Sequence, residues 1–224
     1  GRVAPGRDHR FHADGAVRLD WPTLRTPSQQ SANSRTVAAA EAIDATFDED
    51  AGRLTLRHPN RPALTFRPDD PEEERIFLDW VRPLCPPGRA QPAYLHSVAG
   101  RGMTDTDYPS VSLINLASNA DLALRMSVDL SPLRWRANLW LDDLAPWVER
   151  DWVGCRIALG EAELHVIEPI VRCAATSANP TTGRVDADTL GALRSLHGEQ
   201  VFGLYACVIR SGTVRCGDRA EVLA

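Results

Sequence analysis

The sequence predicts a β-rich α+β protein, and three observations carry that prediction. Short segments of alternating apolar and polar residues outnumber helical stripes, clusters of turn-forming residues separate them, and only a few segments have helical spacing. Over residues 1–30 proline, arginine and aspartate prevail, with Phe11, Val17, Leu19 and Trp21 spaced for one weak strand. Residues 34–47 carry Val37, Ala38, Ala39, Ala40, Ala42 and Ile43 behind a serine, which favours a helix, although Thr46-Phe47 could already be strand. Residues 53–57 alternate strictly, His58-Pro59-Asn60-Arg61 supplies a turn, and residues 63–66 resume the alternation, which predicts a hairpin. Pro71 and three glutamates then lead into Ile76, Phe77, Trp80, Val81 and Leu84, one apolar stripe on a helix.

Pro86-Pro87-Gly88 opens a loop-rich connection to about Tyr108, where a division into regions 1–100 and 101–224 is expected. Residues 110–115 read as a buried strand, and Ser118-Asn119-Ala120-Asp121 has the spacing of a helix cap. The Trp135–Leu141 stretch is expected to contain a strand, as are residues 157–159, 164–167, 202–209 and 214–222. Residues 186–196 predict a short helix ended by Gly198.

With 25 basic and 30 acidic residues in 224, the net charge is -5, which argues against a nucleic-acid partner. All the basic residues apart from histidine are arginine, whose planar fork suits phosphate and carboxylate. No apolar run reaches the roughly 20 residues needed to span a bilayer, and the first residues lack a signal peptide's apolar core, so a cytoplasmic protein with no membrane partner is expected. Five cysteines without CxxC or CxxH spacing predict reduced thiols rather than zinc ligands. His96, His165 and His197 show no ligand spacing either.

Four segments in order are distinctive: Arg134-Trp135-Arg136-Ala137-Asn138-Leu139, Asp151-Trp152-Val153-Gly154, Arg172-Cys173-Ala174-Ala175-Thr176 and Asn179-Pro180-Thr181-Thr182-Gly183. Phe202-Gly203-Leu204-Tyr205 and Gly212-Thr213-Val214-Arg215-Cys216-Gly217-Asp218 follow them. Together these residues resemble the MOSC (molybdenum cofactor sulfurase C-terminal) domain family, which includes the mitochondrial amidoxime-reducing component and bacterial homologues. The resemblance covers residues 107–223 and implies a MOSC-type β-barrel with peripheral helices over residues 101–224. Gly6-Arg7-Asp8-His9-Arg10-Phe11 resembles part of the β-barrel that precedes many such domains, which implies a MOSC-N-like region over residues 1–100, shortened at its N-terminus. The family's strand and phosphate-contacting lysine ahead of that segment have no counterpart here, so an incomplete phosphate site is expected.

The resemblance makes Cys173 the catalytic and metal-ligating residue of a molybdenum pterin cofactor (Moco) site. Without it, a lone cysteine beside Ile170 and Val171 reads as a small buried hydrophobe. A thiolate is the soft ligand that molybdenum or a transferable sulfur requires, and Arg172 beside it would favour ionisation. The loop 176–183 could present hydroxyls and backbone N–H groups to a ligand, or form a surface turn. Arg136 and Asn138, two apart on the expected strand, would share a face toward one ligand. The alternative for Arg136 is an aliphatic stem packed over Trp135 or Trp140. Asp107 and Tyr205 match positions that contact the cofactor in the family, Ser110 nearly does, displaced by one position, and Arg172 and Thr176 are expected as further cofactor-binding residues. Tyr205 could instead be a core aromatic.

The implied function is a Moco-dependent oxidoreductase reducing N-hydroxylated or related N–O small molecules, with no pyridoxal-phosphate domain in this chain. Electrons would come from a separate electron-transfer protein, because no nicotinamide fingerprint or iron–sulfur spacing occurs. The alternatives are a sulfur carrier or transferase with a persulfide on Cys173, and a non-catalytic Moco carrier. Apart from the family, a two-residue Ser211-Gly212 hairpin loop would pair Cys207 with Cys216, either as reduced neighbours or as an oxidisable couple. A bulge there would put the two sulfurs on opposite faces.

Overall fold

The computed structural model describes residues 2–3, 16–19, 42–86, 88, 91–95, 104 and 106–223. Two short strands open the chain, β1 (Arg2–Val3) and β2 (Ala16–Leu19). β3 (Asp44–Asp48), β4 (Arg53–His58) and β5 (Arg61–Phe66) form a three-stranded antiparallel sheet. The expected 53–66 hairpin is its β4–β5 pair. The helix expected over residues 34–47 is corrected at its end: Asp44–Asp48 is strand, because Thr46 and Phe47 fit a pleated surface and pair with Thr55 and Leu54. Residues 34–41, like the Gly6–Phe11 segment, lie outside the described residues.

Helix α1 (Pro71–Val81) starts where proline and glutamate predict, with the Asp70 carboxylate accepting from the Glu72 and Glu73 amides. It lays Trp80 and Val81 against Leu56 and Phe66, a small core of its own. The described residues from Cys85 to Tyr108 form no helix or strand.

The second half supplies β6 (Val111–Asn115), α2 (Leu116–Met126), β7 (Leu139–Asp142), β8 (Arg156–Leu159), β9 (Ala162–Val171), α3 (Thr189–His197), β10 (Val201–Arg210), β11 (Gly212–Arg215) and β12 (Ala220–Leu223). A curled seven-stranded sheet, half of a barrel, has the order β1-β7-β6-β10-β9-β8-β12, while β11 pairs with β2. The sheet is buried on both faces around β6. Val111 and Leu113 join Leu139, Leu141, Leu164 and Leu204 in the concave core, while Ile114 joins Leu122, Trp135, Leu193 and Phe202 beneath α2 and α3. That two-sided burial explains why the β6 sequence is a continuous apolar run rather than an alternation.

Four further expectations are corrected. Helix α2 is capped by Asn115, whose side chain accepts from the Ala117 amide; Ser118 lies inside the helix, fully buried. Helix α3 begins at Thr189, capped by Asp188, not at residue 186. The 214–222 strand is broken into β11 and β12 by a turn at Cys216–Arg219, where the Asp218 carboxylate accepts from the Arg215 amide. Ser211-Gly212 is no hairpin loop: β10 already has β6 and β9 on its two flanks, so the chain crosses at Ser211 to pair β11 with β2. Cys207 therefore registers with His165, not with Cys216, and none of the five cysteines, all described, is in a disulfide.

Candidate functional site around Cys173

Strand β9 ends at Val171, and the Arg172 amide donates to Gln200 O at 2.7 Å, keeping the chain beside the start of β10. Cys173 follows, half-buried, and heads a 3-10 turn, Ala174–Ser177. The Thr176 hydroxyl donates back to Cys173 O at 3.0 Å and meets the hydroxyl of fully buried Thr189 at 2.7 Å. Thr176 therefore acts inside the protein, tying the cysteine's backbone to the first turn of α3.

Arg172 turns inward. Its Nε donates to Phe202 O at 2.7 Å and its NH1 to Trp135 O at 2.8 Å, with the guanidinium stacked 5.5 Å above the Trp135 ring. One side chain thus clamps the end of β9 to β10 and to the turn before β7, as a rigid planar fork can. The clamp depends on a bulge. At Phe202–Gly203 the β10 register shifts, Gly203 takes φ +81°, and Phe202 is redirected from the sheet's concave core to the helical side. Its ring stacks on Trp135 at 4.0 Å between centroids.

The Arg134–Asn138 segment differs from the expected strand. Pro132–Trp135 is a 3-10 turn, Arg136 ends it in the left-handed region at φ 47°, and β7 begins only at Leu139. Arg136 and Asn138 therefore do not share a strand face, because Ser131-Pro132 starts a turn that the strand reading ignored. Arg136 is exposed. Asn138 is partly buried, and its side-chain oxygen accepts from both the amide and the hydroxyl of Ser112, at 2.9 and 2.8 Å. Ser112 in turn registers opposite Tyr205, which also faces Glu168 on β9. Asn138 and Tyr205 are thereby brought to one region of the sheet.

Asp107 and Ser110 lie on the segment entering β6. Buried Ser110 accepts from the Thr106 hydroxyl at 2.9 Å. The neighbouring Tyr108 hydroxyl donates to Glu168 at 2.5 Å. Burial and then this carboxylate push the Tyr108 phenol well above its ordinary range, so it remains a donor. A cleft of about 180 Å³ beside the Arg172 clamp is lined by Trp147, Glu149, Arg150, Pro169, Phe202 and Gly203. Ligand pockets usually exceed roughly 300 Å³, so this cleft is too small for a pterin.

A model of the MOSC domain matches residues 103–221, more than half of the chain. The chain belongs to the MOSC domain family. Mitochondrial amidoxime-reducing component 1 of Danio rerio is 30% identical over 120 residues, covering 50% of this chain and 36% of that protein. Molybdenum cofactor sulfurase of Caenorhabditis briggsae is 32% identical over 113 residues, covering 49% of this chain and 15% of that protein. The matched region is thus about a third or less of either relative. Among solved structures, YiiM from Geobacillus stearothermophilus aligns at TM-score 0.40 and 16% identity over 51% of this chain and 54% of its own. YiiM from Escherichia coli aligns at TM-score 0.38 and 21% identity, with the same coverages.

Within this MOSC domain several polar residues that the sequence reading passed over hold the site's frame. Arg134 is buried and pairs with Asp186 at 2.5 Å, and Asp186 accepts from Asn179 Nδ2 at 2.7 Å. Glu149 is buried between Asn115 Nδ2 at 2.8 Å and the Ser118 hydroxyl at 2.7 Å, locking α2 to the loop after β7. Burial pushes the Glu149 carboxyl up, and those two hydrogen bonds only partly offset it. Arg134 was visible as a member of the Arg-Trp-Arg motif, but nothing in the sequence selects Asp186 among 30 acidic residues as its partner.

Proposed function

We propose that this MOSC domain binds a molybdenum pterin cofactor with the Cys173 thiolate as the protein's ligand to the metal, and serves as an oxidoreductase that removes oxygen from N-hydroxylated or related N–O compounds. The observation that carries the reading is a partly buried cysteine just past the end of β9, its backbone fixed by Thr176 and by the Arg172 clamp. The donor chemistry fits: Cys173 brings a thiolate, the soft ligand that molybdenum takes, and the cofactor would bring the metal's other ligands. When bound, the cofactor supplies the two-electron chemistry.

The protein's own contributions are positional. Arg172 and Thr176 fix where the thiolate stands, exposed Arg136 offers a guanidinium to an anionic group, and Asn138, Ser110, Asp107 and Tyr205 supply polar atoms from the neighbouring end of the sheet. Electrons come from a separate redox protein in this reading. The name of the sulfurase relative and the exposure of Cys173 support a second reading, a persulfide carried on the same thiol.

Molybdenum analysis of protein produced in a cofactor-competent host decides between them. Stoichiometric metal in the native chain, lost in Cys173→Ala, is the expected result. Equal metal in both proteins removes Cys173 as the ligand, and no metal together with a persulfide on Cys173 establishes the sulfur reading.

A further inference from the structure

Between Cys173 and α3 the chain makes an excursion that the sheet does not pair. Its stem is the Ala178–Val185 bridge, with the Asp186 amide on Ser177 O at 3.1 Å. Its tip is closed by Asn179, whose side-chain oxygen accepts from the Thr181 and Thr182 amides at 2.9 and 3.2 Å. This small hairpin hangs from the same 3-10 turn that Cys173 heads, so wherever the hairpin is held, the turn is held.

Arg134 holds it. The guanidinium rises from the Pro132–Trp135 turn with a side chain only 2% exposed and grips Asp186, whose own side chain is 40% exposed. Asp186 passes the link on to Asn179 Nδ2. Burial alone would raise the Asp186 carboxyl, but Asn179 and then Arg134 outweigh it and keep the group below its usual value, so it stays ionised. The pairing is a poor way merely to fill space. Arg134 Nε and NH1 are buried with no acceptor among the described residues, and an apolar side chain of that volume would pack there at less cost. A charge in that place gives direction: it draws one carboxylate, and the hairpin carrying it, to one spot.

We propose that Arg134 is a positioning residue for Cys173, setting the presentation of the thiol through the chain Arg134–Asp186–Asn179 and the 178–185 hairpin. The inference rests on the reading of Cys173 as the functional thiol, yet its test does not require bound cofactor. It also assigns the two arginines of the Arg-Trp-Arg motif to different tasks, Arg136 outward and Arg134 inward.

The test is site-resolved alkylation of the native chain by iodoacetamide at fixed pH, with each cysteine peptide quantified by mass spectrometry. Arg134→Met frees the hairpin and is expected to raise the rate at Cys173 by at least about fivefold, while Cys85 and Cys155 change by less than about twofold, because the loosening is local. Arg134→Lys, which keeps a cation opposite Asp186, is expected to return Cys173 to within about twofold of the native rate. A general loss of stability would instead accelerate the buried and half-buried thiols together and would not be rescued by lysine, and that outcome overturns the proposal.

Should Arg134→Met not fold, Asn179→Ala decides. It removes the outer link at the surface and is expected to raise the Cys173 rate at least about twofold with the other thiols unchanged. An unchanged Cys173 rate in that folded variant refutes the chain. Molybdenum content measured on the same samples separates the two claims. Selective acceleration at Cys173 in a chain that never acquires molybdenum leaves the positioning intact and defeats the cofactor reading. Stoichiometric molybdenum with no selective change does the reverse.

Discussion

Replacing Gly203 by alanine tests the connection between the β10 bulge and the Cys173 turn. At φ +81° the backbone lies in a region where an L side chain costs about 1–2 kcal/mol. The added Cβ would also stand 2.6 Å from Leu113 O, 3.0 Å from Ile114 Cγ2 and 3.1 Å from Arg172 NH2. Leu113 O belongs to the backbone of β6, which is paired with β7 and β10, so it cannot retreat without disturbing the centre of the sheet. Relieving such overpacking costs roughly another 1–3 kcal/mol. A total near 3 kcal/mol lowers the melting temperature of a chain of this size by about 6–12 °C. Gly217→Ala is the control, since φ there is +93° but nothing stands within 4 Å of the added carbon. It carries only the conformational cost, and so a fall of about 2–8 °C. Thermal unfolding followed by circular dichroism compares the two variants. Equal falls would show that the close approach at Gly203 has no energetic weight, and a fall below about 2 °C at Gly203 would refute the bulge argument altogether.

Two further outcomes are expected. Arg172→Met should lower stability by about 3 kcal/mol, having lost charge-assisted bonds to Trp135 O and Phe202 O, whereas Arg136→Ala should cost no more than about 1 kcal/mol, the worth of an exposed contact. Parallel urea titrations check this, and a fall in molybdenum content in Arg136→Ala then reports binding rather than folding. For Glu149, a folded-state pKa above the ordinary value means that the native chain binds the proton more readily than the unfolded chain. Its contribution is fully present below the unfolded pKa and is lost as pH rises through the folded pKa. Glu149→Gln should therefore remove a decline in stability with rising pH that begins above about pH 4.5, seen as a difference between the two stability–pH curves. A difference of the opposite sign would mean that the Asn115 and Ser118 hydrogen bonds outweigh burial.

What was legible in the sequence was local or carried by the family motifs. The 53–66 hairpin, the Pro71 helix start and the buried β6 strand follow from turn chemistry, capping and periodicity, which act within a few residues and are written in neighbouring side chains. The MOSC resemblance likewise rests on short segments in a set order. Where the reading failed, distant strands intervened. β10 could not fold back on β11 because β6 and β9 occupy both its edges, and Asp44–Asp48 became strand because the β4–β5 hairpin offered it an open edge.

The frame of the site was decided by tertiary structure alone. Arg172 looked like a neighbour for a thiolate, but the bulge at Gly203 turns Phe202 O toward it, and a buried guanidinium takes the nearest carbonyls it can satisfy. Arg136 and Asn138 lost their shared strand face because the Pro132–Trp135 turn runs up to Arg136, and Arg134 found its acid 52 residues away. Sequence spacing says which groups can act. Which of them face a ligand and which are consumed in holding the chain depends on where burial leaves polar atoms without water, and that is a property of the packed fold.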